Sequence, residues 1–381
     1  CIIQMEVEVQ GALGAGSPLL VVLVDGLRFD YLDDMHDLPG FRQLVEDGVK
    51  VDHPRDSSVS CATESLNCDR HQMTGNFMWD EVSDKEFLIA TNADSRLPLW
   101  WNGSEPIWVT AEKKGKNVHM YYWSGCEVEI LGVRPSFCEE YVYNPSLKNF
   151  TDSIEKALNA LQSGKAEMAA VYYEKIDVEG HHFGPDSHQL KMALRELDTA
   201  IQTLNKKIKD MDMGDKLNVM MFSDHGMTPI KWMERVIELD KHINMSDLVK
   251  MMDRGAVVSV WPKHNKHQEN QAKLPYWKNG TGVASGWQNG WHGYDNDCMD
   301  MRAFFLAKGP DFKKGAQAPP IQLVDIYNLM CRTLGVDPRP NNGSWSRVEN
   351  MLSGGGEQPR PVLLWSLLAA LMLVLLAGWW Q

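Results

Sequence analysis

The stretch that most constrains this chain is Leu217 to Met227, where an apolar run ending at Phe222 stops on Asp224-His225-Gly226. A short continuous apolar run bounded by turn formers fits a strand buried on both faces, as in a parallel sheet covered by helices. A carboxylate and an imidazole just past such a strand stand at the carboxyl edge, where open α/β sheets take their ligands. Alone, Asp-His-Gly is equally an ordinary strand-to-loop turn. The design is repeated, however: the apolar run from Pro18 to Val24 ends on Asp25-Gly26.

A third strand, Ala166 to Tyr173, leads into Asp177-Val-Glu-Gly-His181. Residues four apart share one face of a helical turn, so Asp177 and His181 are placed to hold one metal, although such a pair is more often a surface ion pair. His292 lies in the Gly- and Trp-rich run 286–294, which reads as a binding loop, with an exposed turn His as the bland alternative. Helices are predicted over 38–46, 186–211 and 321–334, and further strands over 49–51, 117–122 and 301–307. Leu190, Leu194, Leu197, Ile201, Leu204 and Ile208 form the inner stripe of the long helix. Strands ending in carboxylates and joined by helical crossovers define an α/β fold, a doubly wound, mostly parallel sheet with helices on both faces.

Asp25, Asp177, His181, Asp224, His225 and His292 supply oxygen and nitrogen donors without thiolate, which suits Zn²⁺, with Mn²⁺ as the alternative. Six are too many for one ion and fit two, which at about 3.5–4 Å apart can hold both the attacking and leaving oxygens of a phosphoryl transfer. The net charge of −13 argues against nucleic acid as partner and for a neutral or cationic substrate, or an anion held by metal.

The 7 cysteines include no Cys-x-x-Cys pair, which disfavours a structural zinc ribbon. Sequons at Asn102, Asn149, Asn244, Asn279 and Asn342 lean extracellular, and in that compartment Cys126 and Cys138 close a short disulfide loop. The tail runs from small residues at 353–356 through a polar spacer to an apolar stretch at 362–380. That order matches a GPI-attachment signal with Ser353 as the attachment residue, preferred over a retained membrane helix because no basic flank follows. Residues 1–17 carry neither an initiator Met at position 1 nor a convincing signal peptide, which fits a missing first exon better than the alternative of a cytosolic protein.

Asp25-Gly26, Asp177-Val-Glu-Gly-His181-His182, Ser223-Asp-His-Gly226 and Trp291-His-Gly-Tyr294 together resemble the ectonucleotide pyrophosphatase/phosphodiesterase family of the alkaline phosphatase-like superfamily. Residues 71–79, 98–106, 122–135 and 341–347 extend the likeness, most of all to its choline-specific glycerophosphodiesterase branch. The resemblance implies a phosphodiesterase domain over 18–350, followed by the attachment signal at 351–381. It implies one Zn²⁺ held by Asp177, His181 and His292, and a second held by Asp25, Asp224, His225 and the nucleophile. The family's nucleophile motif has no intact counterpart between Asp52 and Cys68; its nearest echo makes Ser60 the candidate, with Ser58 and Thr63 as alternatives. Asn76 matches the residue that donates to a phosphate oxygen. The implied substrates are glycerophosphocholine and lysophosphatidylcholine, cleaved to phosphocholine by a GPI-anchored enzyme on the extracellular face of the plasma membrane. A homodimer is compatible with that resemblance. Since a quaternary ammonium is held by aromatic faces and a nearby carboxylate, Tyr172 is the candidate wall, with a plain core role as its alternative. Two other readings stay open: a non-catalytic cell-surface homologue, and a nucleotide pyrophosphatase.

Overall fold

Leu19–Val24 (β1) has all its residues buried and lies inside an eight-stranded sheet. In this computed structural model the described residues are 16–52, 54, 73, 75–89, 91–231, 237–253, 255–264 and 288–354. The remaining strands are β2 (Gly48–Val51), β3 (Phe77–Asp80), β4 (Lys85–Leu88), β5 (Val118–Tyr121), β6 (Phe137–Glu139) and β7 (Met168–Tyr173). They continue as β8 (Asn218–Phe222), β9 (Thr228–Pro229), β10 (Leu248–Met252), β11 (Ser259–Pro262), β12 (Gly290–Trp291), β13 (Phe305–Lys308) and β14 (Ala316–Ala318). The main sheet has the order β14-β2-β13-β8-β1-β7-β5-β6, and only β13 opposes the rest. The doubly wound, mostly parallel fold predicted from the sequence is therefore present.

The principal helices are α1 (Pro39–Asp47), α2 (Ile107–Lys113), α3 (Leu147–Gln162), α4 (Lys175–Phe183), α5 (His188–Asp210) and α6 (Asp325–Leu334). Alternate residues of β1 face opposite ways, and each set enters its own core. Leu20, Val22 and Val24 pack with α1, α3 and α5, including the predicted stripe from Leu190 to Ile208. Leu19, Val21 and Leu23 pack with α2 and α6. Fully burying such a side chain contributes roughly 1.5–3 kcal/mol, so the centre of the sheet is a rigid base for a site. Ser146 and Ser187 cap α3 and α5 by accepting from the amides of Asn149 and Leu190, which fixes where those helices start.

Register decides which loops meet. Leu23 pairs with Phe222 on one side and Tyr172 on the other. Carried past the strand ends, that alignment sets Asp25 level with both Asp224 and Glu174.

Two predicted elements differ. The strand expected over 301–307 begins at Phe305 after a tight turn at Met299–Met301, and it runs antiparallel. Its chain arrives from the loop carrying His292, already at the carboxyl rim, and with no crossover it can only return the other way. The last helix starts at Asp325 instead of Ile321, because the Asp325 carboxylate accepts from the Gln322 amide and holds that segment in a turn. Cys126 and Cys138 form the predicted disulfide. Asn102, Asn149, Asn244 and Asn342 are exposed, while Asn279 lies outside the described residues. Ser353 is exposed and anchored to Asp311 and Pro310, and the apolar tail lies outside the described residues. Among the described residues no helix is long and apolar enough to cross a membrane.

Candidate metal centre

Asp25 follows β1, Asp224 and His225 follow β8, Asp177 and His181 sit on α4, and His292 follows β12. The structure brings all six to the carboxyl rim. His181 Nε2 faces His292 Nε2 at 3.1 Å, and the Asp177 carboxylate lies 3.4 Å from the first and 3.5 Å from the second. Beside them, His225 Nε2 lies 3.3 Å from Asp25 Oδ1 and 3.6 Å from Asp224 Oδ2. The His225 and His292 rings stack at 3.5 Å, joining the two halves.

These spacings fit a metal. Four donors at Zn–N and Zn–O distances of about 2.0–2.1 Å form a tetrahedron with edges of roughly 3.3 Å. Asp25 Oδ1, Asp177 Oδ1 and His292 Nδ1 are buried without a hydrogen-bond partner, an expensive arrangement unless a cation is meant to face the carboxylates. His181 and His225 turn their other nitrogens to the carbonyls of Gly290 and Gly226, at 3.0 and 2.8 Å, which aims each Nε2 into the cluster of donors. Asp224 is oriented the same way, its Oδ1 accepting from the amides of Gly26 and His225. Two triads have mutually close donor atoms: Asp177, His181 and His292, and Asp25, Asp177 and His225. Asp177 thus lies close to both groups, while Asp224, 3.6 Å from His225 Nε2, belongs to neither triad.

The electrostatics agree. Burial, followed by the nearby charges of Asp224 and Asp177, pushes Asp25 well above the ordinary carboxylate range. Burial raises Asp177 too, against the pull of His181 and His225. His292 is pushed well down, by burial first and then by His225 and His181. Such perturbed groups converging on one rim mark a functional site.

Gly26 lets the halves approach. Its φ is +68°, and a Cβ there would stand 2.8 Å from the Asp177 Cα. Gly26→Ala should add about 1–2 kcal/mol of left-handed backbone strain and, by displacing Asp177 about 1 Å, cost on the order of 100-fold in turnover. Melting temperature and kcat measured together check this; wild-type values for both would refute it.

A second cluster adjoins Asp25. The Tyr172 hydroxyl donates to Asp25 and contacts Glu174 at 3.4 Å, and its ring lies 6.3 Å from Trp123 and 6.1 Å from Tyr141. Glu174 is buried and accepts from the Tyr141 hydroxyl and the Asn144 amide. Burial raises its carboxyl, while those donors favour its charged form. Tyr122, just before Trp123, holds a φ of +59°, a conformation uncommon for a bulky residue and typical of sites where a side chain must be aimed. Sequence reasoning found Tyr172 and missed Trp123, Tyr141 and Glu174. A signal for Glu174 existed, since it follows β7 directly, as Asp25 follows β1.

Ser60, with Ser58 and Thr63, lies outside the described residues. The chain leaves β2 at the same rim, with the Asp52 amide bound to the Ala318 carbonyl. Asn76 is exposed beside β3; its carbonyl accepts from Ile89, and no contact among the described residues joins its side chain to the six donors.

A mostly parallel α/β sheet whose carboxyl rim gathers carboxylates and imidazoles into two adjoining triads defines a candidate metallohydrolase. The model of the family described as type I phosphodiesterase / nucleotide pyrophosphatase matches residues 19–295, and the chain belongs to that family. A Mus musculus bis(5'-adenosyl)-triphosphatase is 31% identical over 376 residues, covering 88% of this chain and 81% of the relative. Ectonucleotide pyrophosphatase/phosphodiesterase family member 7 of the same species is 27% identical, over 88% of each chain. The solved structure of inactive murine ectonucleotide pyrophosphatase/phosphodiesterase 5 in complex with AMP matches with a TM-score of 0.80 at 25% identity, covering 88% of this chain and 100% of that one. These matches support the hydrolase family as a whole and do not single out its choline-specific branch.

Proposed function

We propose that the protein is a two-zinc phosphodiesterase that hydrolyses choline phosphodiesters, glycerophosphocholine and lysophosphatidylcholine, to release phosphocholine at the extracellular membrane surface. The observation that carries the choline reading is the buried Glu174 carboxylate held by the Tyr141 and Tyr172 hydroxyls beside Asp25, with the Trp123 ring against Tyr172. A quaternary ammonium donates no hydrogen bond, so rings with a fixed anion are the groups that recognise it. The extracellular GPI-anchored location rests on the sequons and the tail.

Asp177, His181 and His292 would hold one ion, and Asp25, Asp224 and His225 the other, with Asp177 close to both. When bound, zinc supplies charge stabilisation for the phosphoryl oxygens and lowers the pKa of a ligated hydroxyl. The chain's own residues do the rest. Ser60 is the proposed nucleophile, Asn76 the proposed donor to a phosphate oxygen, and Glu174 with its rings orients the headgroup. Tyr172 donates to Asp25 and so orients a carboxylate of the second half.

Nucleotide cleavage is the second reading, favoured by the similarity to the adenosyl-triphosphatase and to the relative solved with AMP. Side-by-side assays separate the two. Purified protein should turn over glycerophosphocholine faster than bis(5'-adenosyl) triphosphate. Glu174→Gln should lower kcat/KM on the choline diester by about 10–100-fold, the loss of one cation contact of roughly 1.4–3 kcal/mol, with little change on the nucleotide. Turnover of the nucleotide alone would sink the choline reading.

A further inference from the structure

We propose that Arg28 is a positioning residue for the half of the centre made by Asp25, Asp224 and His225, an inference that rests on the two-ion reading above. Its side chain is only 9% exposed and lies beneath the loops that follow β1 and β8. One edge of the guanidinium is held by Asp30, with Nε at 2.6 Å and Nη2 at 3.0 Å from the two carboxylate oxygens. From the other edge Nη1 donates to the Met227 carbonyl at 2.8 Å, with Asp300 at 3.6 Å. Asp186 approaches Nη2 at 3.8 Å, and the guanidinium lies 5.0 Å from the Tyr31 ring centroid.

The two tied segments carry one half of the centre. Asp25 stands three residues before Arg28, and Asp224 and His225 stand just before Met227. A Cβ at Gly226 would come within 2.9 Å of the Arg28 Cγ, so the side chain lies directly against the turn that aims His225. The bidentate contact with Asp30 fixes the plane of the fork, and the fork then sets where the Met227 carbonyl can lie. Lysine cannot reproduce this, since a single ammonium lacks the planar pair of donor edges. The other half has ties of its own, the Asn289 amide donating to the His181 carbonyl and the His181 ring meeting the Gly290 carbonyl, although β9, just after Met227, also pairs with β12, just before His292.

The test is zinc titration of metal-free protein in competition with a chromophoric chelator, for wild type, Arg28→Met and Arg28→Lys. Removing groups that orient ligands typically costs 10–100-fold in metal affinity, so Arg28→Met should weaken one of the two ions by about that factor and leave the other within about threefold. Arg28→Lys should recover part of the loss, and it decides the matter if the Met variant does not fold. A merely structural role would lower the melting temperature without separating the two affinities. Wild-type binding of both ions by the Lys variant, or equal weakening of both, would overturn the proposal. Wild-type protein that binds fewer than two zinc ions would instead remove the reading on which it rests.

Discussion

Asp177→Asn should lower kcat/KM by about 1000-fold or more, a loss of roughly 4 kcal/mol of transition-state stabilisation. Asp177 presents one oxygen to His181 and the other to His292, and it also belongs to the triad with Asp25 and His225. Asparagine keeps the shape, removes the charge, and replaces one ligand-competent oxygen with an amide nitrogen that cannot bind a cation. The variant should therefore weaken both ions, where Asp224→Asn, confined to one half, should weaken one. Metal stoichiometry beside single-turnover rates separates these outcomes. An Asp177→Asn protein that retained two ions at wild-type affinity would show that the carboxylate is not shared.

Metal removal should leave a protein whose carboxylates oppose folding at neutral pH. Asp25 and Asp177 titrate near 3.8 when unfolded and are raised in the fold, and Glu174 is raised from 4.5. For such groups the folded state binds the proton more tightly, so their contribution is fully present below the unfolded value and is lost as pH rises through the folded one. His292 works in the other direction: lowered from 6.5, it contributes above that value and loses its contribution as pH falls through the depressed one. Asp25→Asn isolates the carboxylate part. Without metal and near neutral pH, this variant should be more stable than wild type by about 1–3 kcal/mol, because one buried charge facing two others is gone. Below about pH 4 the advantage should vanish, since both proteins are then neutral at that position. With zinc in about 1,000-fold excess over Kd the order should reverse, wild type gaining on the order of 4 kcal/mol for each ion bound. Calorimetric melting with and without chelator across that range checks every part. A metal-free Asp25→Asn protein less stable than metal-free wild type at neutral pH would refute the account.

Much of the site was legible because its rules are local. An apolar run that stops on an acid places that acid at a sheet edge, and this found Asp25, Asp224 and His225. Four-residue spacing on a helix placed Asp177 beside His181, and a permissive Gly- and Trp-rich loop pointed to His292. The same rule applied to β7 gives Glu174, which follows that strand directly.

The amino-acid sequence by itself determined the fold class, the six side chains that meet at the carboxyl rim, the disulfide between Cys126 and Cys138, and the family. Each follows from periodicity, spacing or motif, properties that neighbouring residues carry without knowledge of the rest of the chain. Only the tertiary structure decided that Asp177 lies close to both halves, that Tyr141 and Tyr172 reach Glu174 with Trp123 beside Tyr172, that Arg28 ties two loops together, and that β13 runs backwards. Those facts depend on strand order and register, which bring together residues from about 30 to about 200 positions apart, through packing that no local pattern encodes.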